Sequence, residues 1–227
     1  MTTKGKRVNV PIKEAEVRKL RMGDVVYLNG TVYTLRDMAY RRAVELLQKG
    51  GKLPFDLEDG GIWHCGPIMK KTNDKWKALA AGPTTSSRFT ALEAELVRRL
   101  HTRLVIGKGY MGEATINAFK DVGGAYLVAT GGCAALYAMK ITNMENVYWL
   151  DLGMPEAVWG FKVKDLGPLI VGIDSSGKNL NDGVTKTIDE NLKKIFQSYK
   201  IDPKRNYVWW PRRVAGTPIP PYNLNRY

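Results

Sequence analysis

Four consecutive hydroxyl side chains followed by an arginine stand in the segment Gly82-Pro83-Thr84-Thr85-Ser86-Ser87-Arg88. The pattern predicts a helix N-terminus, where free backbone N–H groups and the positive end of the helix dipole favour a bound anion. Arg88 adds a planar, two-pronged donor that suits a carboxylate or a phosphate. Serine and threonine also dominate ordinary helix N-caps, so a plain cap is the alternative interpretation.

Arg36 lies at a second junction of this kind. Two β-rich runs, 24–28 and 31–35, flank Asn29-Gly30, a pair typical of tight hairpin turns, so a β-hairpin is predicted here. Arg36-Asp37 then opens a helix whose apolar residues recur at helical spacing, and Gly50-Gly51 ends it. Arg36 is therefore predicted to lie between a hairpin and a helix.

Lys108 lies at a third junction, inside a glycine turn. It follows an apolar strand predicted over 104–106 and precedes a helix predicted to begin near Glu113. Ligands of layered α/β proteins usually bind where strands or loops lead into helices. Together with Arg36 and Arg88, Lys108 is therefore predicted to bind an anion.

The same turn, Gly107-Lys108-Gly109-Tyr110-Met111-Gly112, also satisfies the GxGxxG fingerprint of dinucleotide-binding proteins. That fingerprint requires an acidic residue about 20 positions later, at the end of the next strand, to bind the ribose hydroxyl. Here the next predicted strand, 125–130, is followed by Gly131-Gly132-Cys133 without a carboxylate. Nucleotide binding is kept as an alternative, and the glycines are interpreted as a sharp turn that points Lys108 into the site.

Five motifs in fixed order resemble one known family. They are Arg36-Asp37-Met38-Ala39, Gly82-Pro83-Thr84-Thr85 with Arg88, Ile106-Gly107-Lys108-Gly109, Gly131-Gly132-Cys133-Ala134-Ala135 and Asp151-Leu152-Gly153-Met154. They resemble the C-terminal domain of class I fumarate hydratases and L-tartrate dehydratases, which is the β subunit when it is a separate chain. The resemblance runs from about Gly23 to Asp174 and implies a three-layer β/β/α swivelling domain.

The resemblance also implies an activity and the residues that perform it. Members of the family are hydro-lyases, and this chain resembles the β subunit of a fumarate hydratase that converts fumarate to S-malate only together with its α subunit. Thr84 matches the proposed proton-abstracting threonine, and Arg36, Arg88 and Lys108 match the residues that bind the substrate carboxylates. The β subunit of an L(+)-tartrate dehydratase is the close alternative, since its substrate differs by one hydroxyl group.

The chain departs from the family pattern near two of these motifs. Tyr40 stands where the family often has a histidine after Arg-Asp-x-Ala, and Ser86-Ser87 stands where small Ala, Gly or Thr residues are common. The four matched residues are unaffected. Only a role for the missing histidine is placed in doubt.

The resemblance implies an oxygen-sensitive [4Fe–4S] cluster whose cysteine ligands lie on the partner subunit, where its iron acts as a Lewis acid on the malate hydroxyl. This chain has two cysteines, Cys65 and Cys133, and a three-cysteine cluster site cannot be built from two. His64-Cys65 is a candidate metal pair, although adjacent residues rarely face one ligand. The expectation is therefore no cofactor on this chain and a heterotetramer with the cluster-bearing α subunit.

The formal net charge of the 227 residues is +13. Residues 1–21 contain seven basic and two acidic side chains, and residues 201–227 contain five basic and one acidic, so most of the excess lies at the termini. Such arms suit an acidic protein partner, and the remainder suits an anionic substrate. RNA or DNA binding is the alternative, but no aromatic-basic interleaving, helix-turn-helix pattern or zinc-finger spacing supports it.

No secretory signal or membrane-spanning run is visible in the sequence, so a cytoplasmic protein without membrane contact is expected. One compact α/β domain with a mixed sheet is predicted over residues 1–200, with a polar loop over 69–77. Further predicted strands cover 61–65, 147–150, 159–163 and 169–174, and helices are predicted over 113–121 and 187–199.

Residues 201–227 differ in composition. They contain five prolines together with Trp209-Trp210, which predicts an extended arm that lies on a protein surface. We interpret the arm as an assembly element. The alternative is that it packs on its own domain.

Overall fold

The computed structural model of the chain describes residues 5–202. Its strands are β1 (Lys6–Val10), β2 (Val25–Thr34), β3 (Gly61–Trp63), β4 (Ile68–Thr72), β5 (Lys75–Ala80), β6 (Leu104–Gly107), β7 (Ala125–Val128), β8 (Ile141–Tyr148) and β9 (Val158–Ile173). Its α-helices are α1 (Glu14–Val17), α2 (Asp37–Gln48), α3 (Thr90–Leu100), α4 (Glu113–Val122), α5 (Ala134–Ala138) and α6 (Asn181–Ser198), and short 3-10 helices cover Ser86–Phe89 and Leu150–Leu152.

A seven-stranded mixed sheet organises the fold, in the order β1-β2-β3-β6-β7-β9-β8. Strands β1, β2, β3, β6 and β7 pair in parallel, whereas β9 runs antiparallel to its neighbours. Because β9 pairs with both β7 and β2, five strands close into a ring. The predicted α/β class and mixed sheet are confirmed.

Two apolar clusters fill the two sides of this sheet, because successive side chains of a strand point to opposite faces. One contains Trp63, Ile106 and Phe161 and is covered by residues of α1, α5, β4 and β5. The other contains Ile62, Val105 and the inner faces of α2, α3 and α4. Helices α2, α3 and α4 therefore lie on one side of the sheet, and the β4–β5 hairpin lies on the other with the short helices α1 and α5.

The predicted hairpin at Asn29-Gly30 is wrong. Both residues lie inside the ten-residue strand β2, which pairs with β1 on one edge and β9 on the other. A Cβ atom on Gly30 would lie 2.0 Å from the Val10 carbonyl oxygen, and the Gly30 φ is +113°. Glycine at position 30 permits the close approach of β1 at a bulge. The Asn-Gly pair therefore reflects the packing of neighbouring strands and does not form a turn.

Two other local predictions were also wrong. The polar loop predicted over 69–77 is the β4–β5 hairpin, whose turn residues Asn73 and Asp74 both adopt positive φ as a type I′ turn requires. The strands predicted separately over 159–163 and 169–174 are parts of the continuous strand β9. The helices predicted after Arg36 and near Glu113 are confirmed as α2 and α4.

The chain divides into two compact units, with the boundary between Asn181 and Asp182. The described part of the second unit consists of α6 and a few following residues, and no residue of α6 is buried. The division at residue 200 stays a prediction. Of the predicted arm, only Ile201 and Asp202 fall within the described residues, so its proposed contacts lie outside the structure.

Candidate active site

Thr84 lies on an extended segment between the carboxyl ends of β3 and β6. Pro83 forms an antiparallel bridge with Cys65, and Thr85 forms a parallel bridge with Lys108. The Thr84 N–H donates to the His64 carbonyl over 2.6 Å, and the Lys108 N–H approaches the Thr84 carbonyl at 3.4 Å. The structure therefore brings the backbones of Thr84 and Lys108 together.

The predicted helix N-terminus at this segment is confirmed only in part. A 3-10 turn begins at Ser86, but α3 itself begins at Thr90, and no side chain caps either element. The N–H groups of Thr84 and Ser86 already donate to the carbonyls of His64 and Lys108, so they are unavailable to an anion. The plain-cap alternative also fails for Thr84, and an anion at this position would not be bound by the N–H groups of Thr84 or Ser86.

Arg36 and Arg88 converge on one carboxylate. The Arg88 Nη2 donates to Asp37 Oδ2 over 2.9 Å, and the Arg36 Nη2 lies 3.9 Å from the same oxygen. The Arg36 Nε lies 3.3 Å from Glu156 Oε1, while Glu156 Oε2 accepts the Met38 N–H at the start of α2 over 2.8 Å. Asp37 and Glu156 hold the arginines side by side, and sequence reasoning assigned neither carboxylate this role.

Gly66 brings the Arg36 guanidinium to the Thr84 end of the sheet. A Cβ atom on Gly66 would lie 2.5 Å from Arg36 Nη1, so the guanidinium packs directly against the glycine backbone. Gly66 follows Cys65, which pairs with the residue before Thr84. The Arg36 guanidinium consequently lies beside the Cys65–Pro83 bridge that leads into Thr84.

Lys108 is the cation of this group without a carboxylate partner. Its backbone follows β6 and its side chain passes Gly131, where a Cβ atom would lie 3.8 Å from Lys108 Cδ. Among residues 5–202, no aspartate or glutamate forms an ion pair with Lys108. The ammonium group of this partly buried residue is therefore available to an anionic ligand. The neighbouring Gly109 has a φ of +77°, which confirms the predicted sharp turn.

Behind Thr84 lies a hydrogen-bonded group that sequence reasoning missed, which we call the His64 network: His64, Glu93, Ser86, Tyr40 and Tyr126. The His64 Nε2 lies 2.6 Å from Glu93 Oε2, and the His64 Nδ1 lies 2.8 Å from Ser86 Oγ. Tyr40 donates to Glu93 and Tyr126 donates to Ser86. At most 1% of any of these five residues is exposed.

Burial and the Glu93 carboxylate raise the pKa of Tyr40 well above its usual value, so this phenol stays protonated. A sequence signal for the network existed. Glu93 lies four residues after Phe89 and four before Val97, both buried, and a carboxylate on that helical stripe requires a buried partner.

His64 and Cys65 do not form the metal pair that their adjacency allowed. The Cys65 side chain packs in the cluster that contains Trp63, whereas His64 contacts Tyr40 and Phe89 on the helical side. Burial raises the pKa of the Cys65 thiol far above its usual value, so it is a poor metal ligand. No group of three His, Cys, Asp or Glu side chains able to hold a metal occurs within the described residues.

The fold contains no helix, over residues 5–202, that is long and apolar enough to cross a membrane.

The sequence of this chain is similar to those of known proteins. Residues 2–184 match the family model described as the fumarase C-terminus. The chain is 46% identical over 186 residues to a Methanocaldococcus jannaschii protein provisionally named L(+)-tartrate dehydratase subunit beta, covering 82% of this chain and 95% of the relative.

Two further relatives carry different activities in their names. The L(+)-tartrate dehydratase subunit beta of Escherichia coli is 41% identical over 191 residues, which cover 84% of this chain and 90% of that protein. A Geobacillus stearothermophilus protein provisionally named fumarate hydratase class I is 40% identical over 186 residues, which cover 82% of this chain and 35% of that longer protein.

Proposed function

Because the chain belongs to the fumarase C-terminal family, we propose that it is the β subunit of a two-subunit hydro-lyase that hydrates fumarate to S-malate. The observation that carries the proposal is the convergence of Thr84, Lys108, Arg36 and Arg88 at one end of the sheet. Backbone bridges bring the first two together, and the shared Asp37 carboxylate brings the two arginines together.

Three cations suit a substrate with two carboxylates. Within residues 5–202 the Arg88 side chain donates one hydrogen bond, to Asp37, so the other donors of its planar fork are free to bind a carboxylate in bidentate fashion. The Arg36 Nε lies at ion-pair distance from Glu156 without a hydrogen bond, and Lys108 has no competing carboxylate among the described residues. When the C–H bond next to a carboxylate ionises, the negative charge that builds up on that carboxylate is stabilised by these cations.

Thr84 is proposed to remove the proton from malate in the dehydration direction. Its side chain makes no hydrogen bond to any residue that the structure describes, so the hydroxyl is free to face substrate. A threonine hydroxyl is a very weak acid, so its alkoxide needs nearby positive charge. Lys108, whose backbone pairs with Thr84 and Thr85, is the residue proposed to supply that charge.

The iron-sulfur cluster is proposed for the α subunit, since the two cysteines of this chain do not fit a cluster. Cys65 is buried and Cys133 is only partly exposed. The steps assigned to Thr84, Arg36, Arg88 and Lys108 do not depend on the cluster. We further propose that the chain is active only with that subunit, as part of a heterotetramer in the cytoplasm.

A second candidate is L(+)-tartrate dehydration, favoured by the names of two of the relatives. Tartrate and malate differ by one hydroxyl group. A site built to hydrogen-bond a substrate hydroxyl rejects the analogue that lacks it by a large factor. Polar groups contributed by the α subunit would take part in that discrimination.

Anaerobic reconstitution of this chain with its α subunit tests the proposal. The assays compare kcat/KM for fumarate, S-malate and L(+)-tartrate, with each subunit alone as the control. We expect turnover by the mixture, no turnover by this chain alone, and a preference for fumarate and malate. Preference for tartrate would select the second candidate. An active or brown preparation of this chain by itself would reject the assignment of the cluster to the partner.

A further inference from the structure

The order Ser86–His64–Glu93 within the His64 network is that of a nucleophilic triad, but its burial excludes that use. Ser86 Oγ approaches His64 Nδ1, and the opposite ring nitrogen approaches Glu93. Ser86, His64 and Glu93 are 0% exposed, so no substrate reaches the serine. The network must act on protein groups, and the group beside it is Thr84.

The hydrogen bonds of the network are consistent with one arrangement of protons around a neutral imidazole. His64 Nε2–H donates to Glu93, Ser86 donates to His64 Nδ1, and Tyr126 donates to Ser86 Oγ over 2.9 Å. Tyr40 donates its hydrogen to Glu93 as well. These four hydrogen bonds form one connected chain that ends at the Glu93 carboxylate. Ser86 is held on one side by His64 and on the other by Tyr126.

His64 holds the Thr84 segment with its backbone and with its side chain. Its carbonyl accepts the Thr84 N–H over 2.6 Å, and its ring fixes Ser86, two residues further on. Ser86 Oγ also lies 3.4 Å from the Thr84 carbonyl oxygen. The segment is therefore held at Thr84 by the His64 carbonyl and at Ser86 by the His64 ring.

Gly107 shows how closely the network is packed against the Lys108 turn. A Cβ atom at Gly107 would lie 1.9 Å from Ser86 Oγ and 2.9 Å from His64 Nδ1. The network thus occupies the space that any side chain at position 107 would need. Since Gly107 precedes Lys108, the same contacts also constrain the backbone position of Lys108.

We propose that His64, Ser86 and Glu93 are positioning residues that orient the Thr84 hydroxyl for proton transfer, an inference that rests on the proposed function. Two members of the network, Tyr40 and Ser86, are positions where this sequence departs from the pattern of the family it resembles. The Tyr40 hydroxyl lies 2.8 Å from His64 Nε2, so Tyr40 packs directly against the imidazole of the network.

The test uses the reconstituted two-subunit enzyme with the variants Ser86→Ala, Glu93→Leu and Glu93→Gln. Ser86→Ala and Glu93→Leu each interrupt the series of hydrogen bonds that links Glu93 to the Thr84 segment. We expect kcat to fall tenfold or more while KM stays within twofold, because Arg36, Arg88 and Lys108 remain in place. Glu93→Gln keeps an oxygen acceptor for His64 Nε2–H, so its kcat should stay within threefold of wild type.

Thr115→Val is the matched control, because it removes an equally buried hydroxyl whose hydrogen bond goes to the Thr90 carbonyl over 2.9 Å. It should lower the melting temperature about as much as Ser86→Ala and leave kcat unchanged. Equal losses of kcat in the Thr115 and Ser86 variants would overturn the proposal, as would a tenfold loss in Glu93→Gln.

Thr84→Ala in the same assay separates this inference from the proposed function. If Thr84→Ala abolishes turnover but Ser86→Ala and Glu93→Leu behave as wild type, the positioning role is wrong and the proposed function stands. If Thr84→Ala itself has normal kcat, the proposed role of Thr84 fails, and the positioning role fails with it.

Discussion

Thr84 and Thr85 are adjacent threonines with different surroundings. Thr84 is half-buried and its peptide is held by His64 and Lys108, whereas Thr85 is exposed. Neither side chain caps a helix. A difference between the two alanine variants would therefore report on chemistry, since neither change removes a capping hydrogen bond.

We predict that Thr84→Ala abolishes turnover of the reconstituted enzyme and leaves folding and subunit association intact, while Thr85→Ala has a much smaller effect. The measurements are kcat, a thermal melt and sedimentation of the mixed subunits. A larger kcat loss in the Thr85 variant would shift the match to the family threonine by one residue. Loss of folding in the Thr84 variant would make Thr84 a structural residue.

A substitution at Arg88 can separate the contribution of the planar guanidinium group to substrate binding from that of its charge. Arg88→Lys keeps the positive charge but loses the planar fork, so kcat/KM should fall about tenfold or more, equivalent to about 1.4 kcal/mol. The matched control is Arg98→Lys, since Arg98 also pairs with one aspartate, Asp121, at the surface. Wild-type kinetics in the Arg88 variant would remove this residue from the site.

At the scale of elements, Asp59 joins the parts of the chain that carry β3 and β6. Its carboxylate accepts from Lys13 Nζ over 2.6 Å and from Arg103 Nε over 2.8 Å, and Asp59 and Arg103 are both buried. The hydrogen bond from Lys13, together with Arg103, lowers the Asp59 pKa against the opposing effect of burial. Since β3 and β6 position the Thr84 segment, Asp59 supports the site from a distance.

A carboxylate with a lowered pKa stabilises the fold above the pKa that it has when unfolded, and this stabilisation is lost as the pH falls through the folded pKa. The free energy of unfolding should therefore decrease below about pH 4, the usual range of an aspartate. Asp59→Asn should destabilise the fold by about 1.5 kcal/mol or more at pH 7, because buried Arg103 and Lys13 lose the charge that they share and Arg103 keeps only Glu14 as an ion-pair partner, and it should flatten the acid dependence. Asparagine suits the positive φ of this position.

Chemical denaturation of wild type and Asp59→Asn between pH 2 and pH 7 measures both effects, with Asp121→Asn as the control for an exposed ion pair. The control should change the unfolding free energy by less than about 1 kcal/mol. If the Asp59 variant keeps the full acid dependence of wild type, other carboxylates produce it and the anchoring role is wrong.

For the whole molecule, the C-terminal region is the part beyond the family match, which ends at residue 184. Residues 201–227 combine five basic side chains and one acidic side chain with Trp209 and Trp210, and aromatic and basic residues dominate interface energetics. We predict that removal of residues 201–227 weakens association with the α subunit or with a second copy of this chain, and leaves residues 1–200 folded.

Sedimentation of the truncated chain, with and without its partner, and a thermal melt check this prediction. The described helix α6 is retained in the truncated chain, so the comparison isolates the arm. Unchanged assembly together with a much lower melting temperature would show that the arm packs on its own chain.

Local sequence patterns were sufficient to predict those elements whose structure depends on residues close in sequence. The boundaries of α2 followed from apolar spacing and from Gly50-Gly51, and β6 followed from an apolar run before a glycine turn. The ordered motifs identified the family, and the structure brings their residues to one end of the sheet. A helix and a short buried strand are determined mainly by residues close in sequence, so their positions could be predicted.

Tertiary structure alone decided which residues face one another. Asn29-Gly30 would favour a turn in isolation, but pairing with β1 and β9 keeps β2 continuous through it. Asp37 joins two arginines 52 residues apart in the chain, and Ser86, His64 and Glu93 meet because β3 packs against α3. A buried polar side chain must find its partner within about 3 Å, and only the packing of distant elements determines which partner lies there.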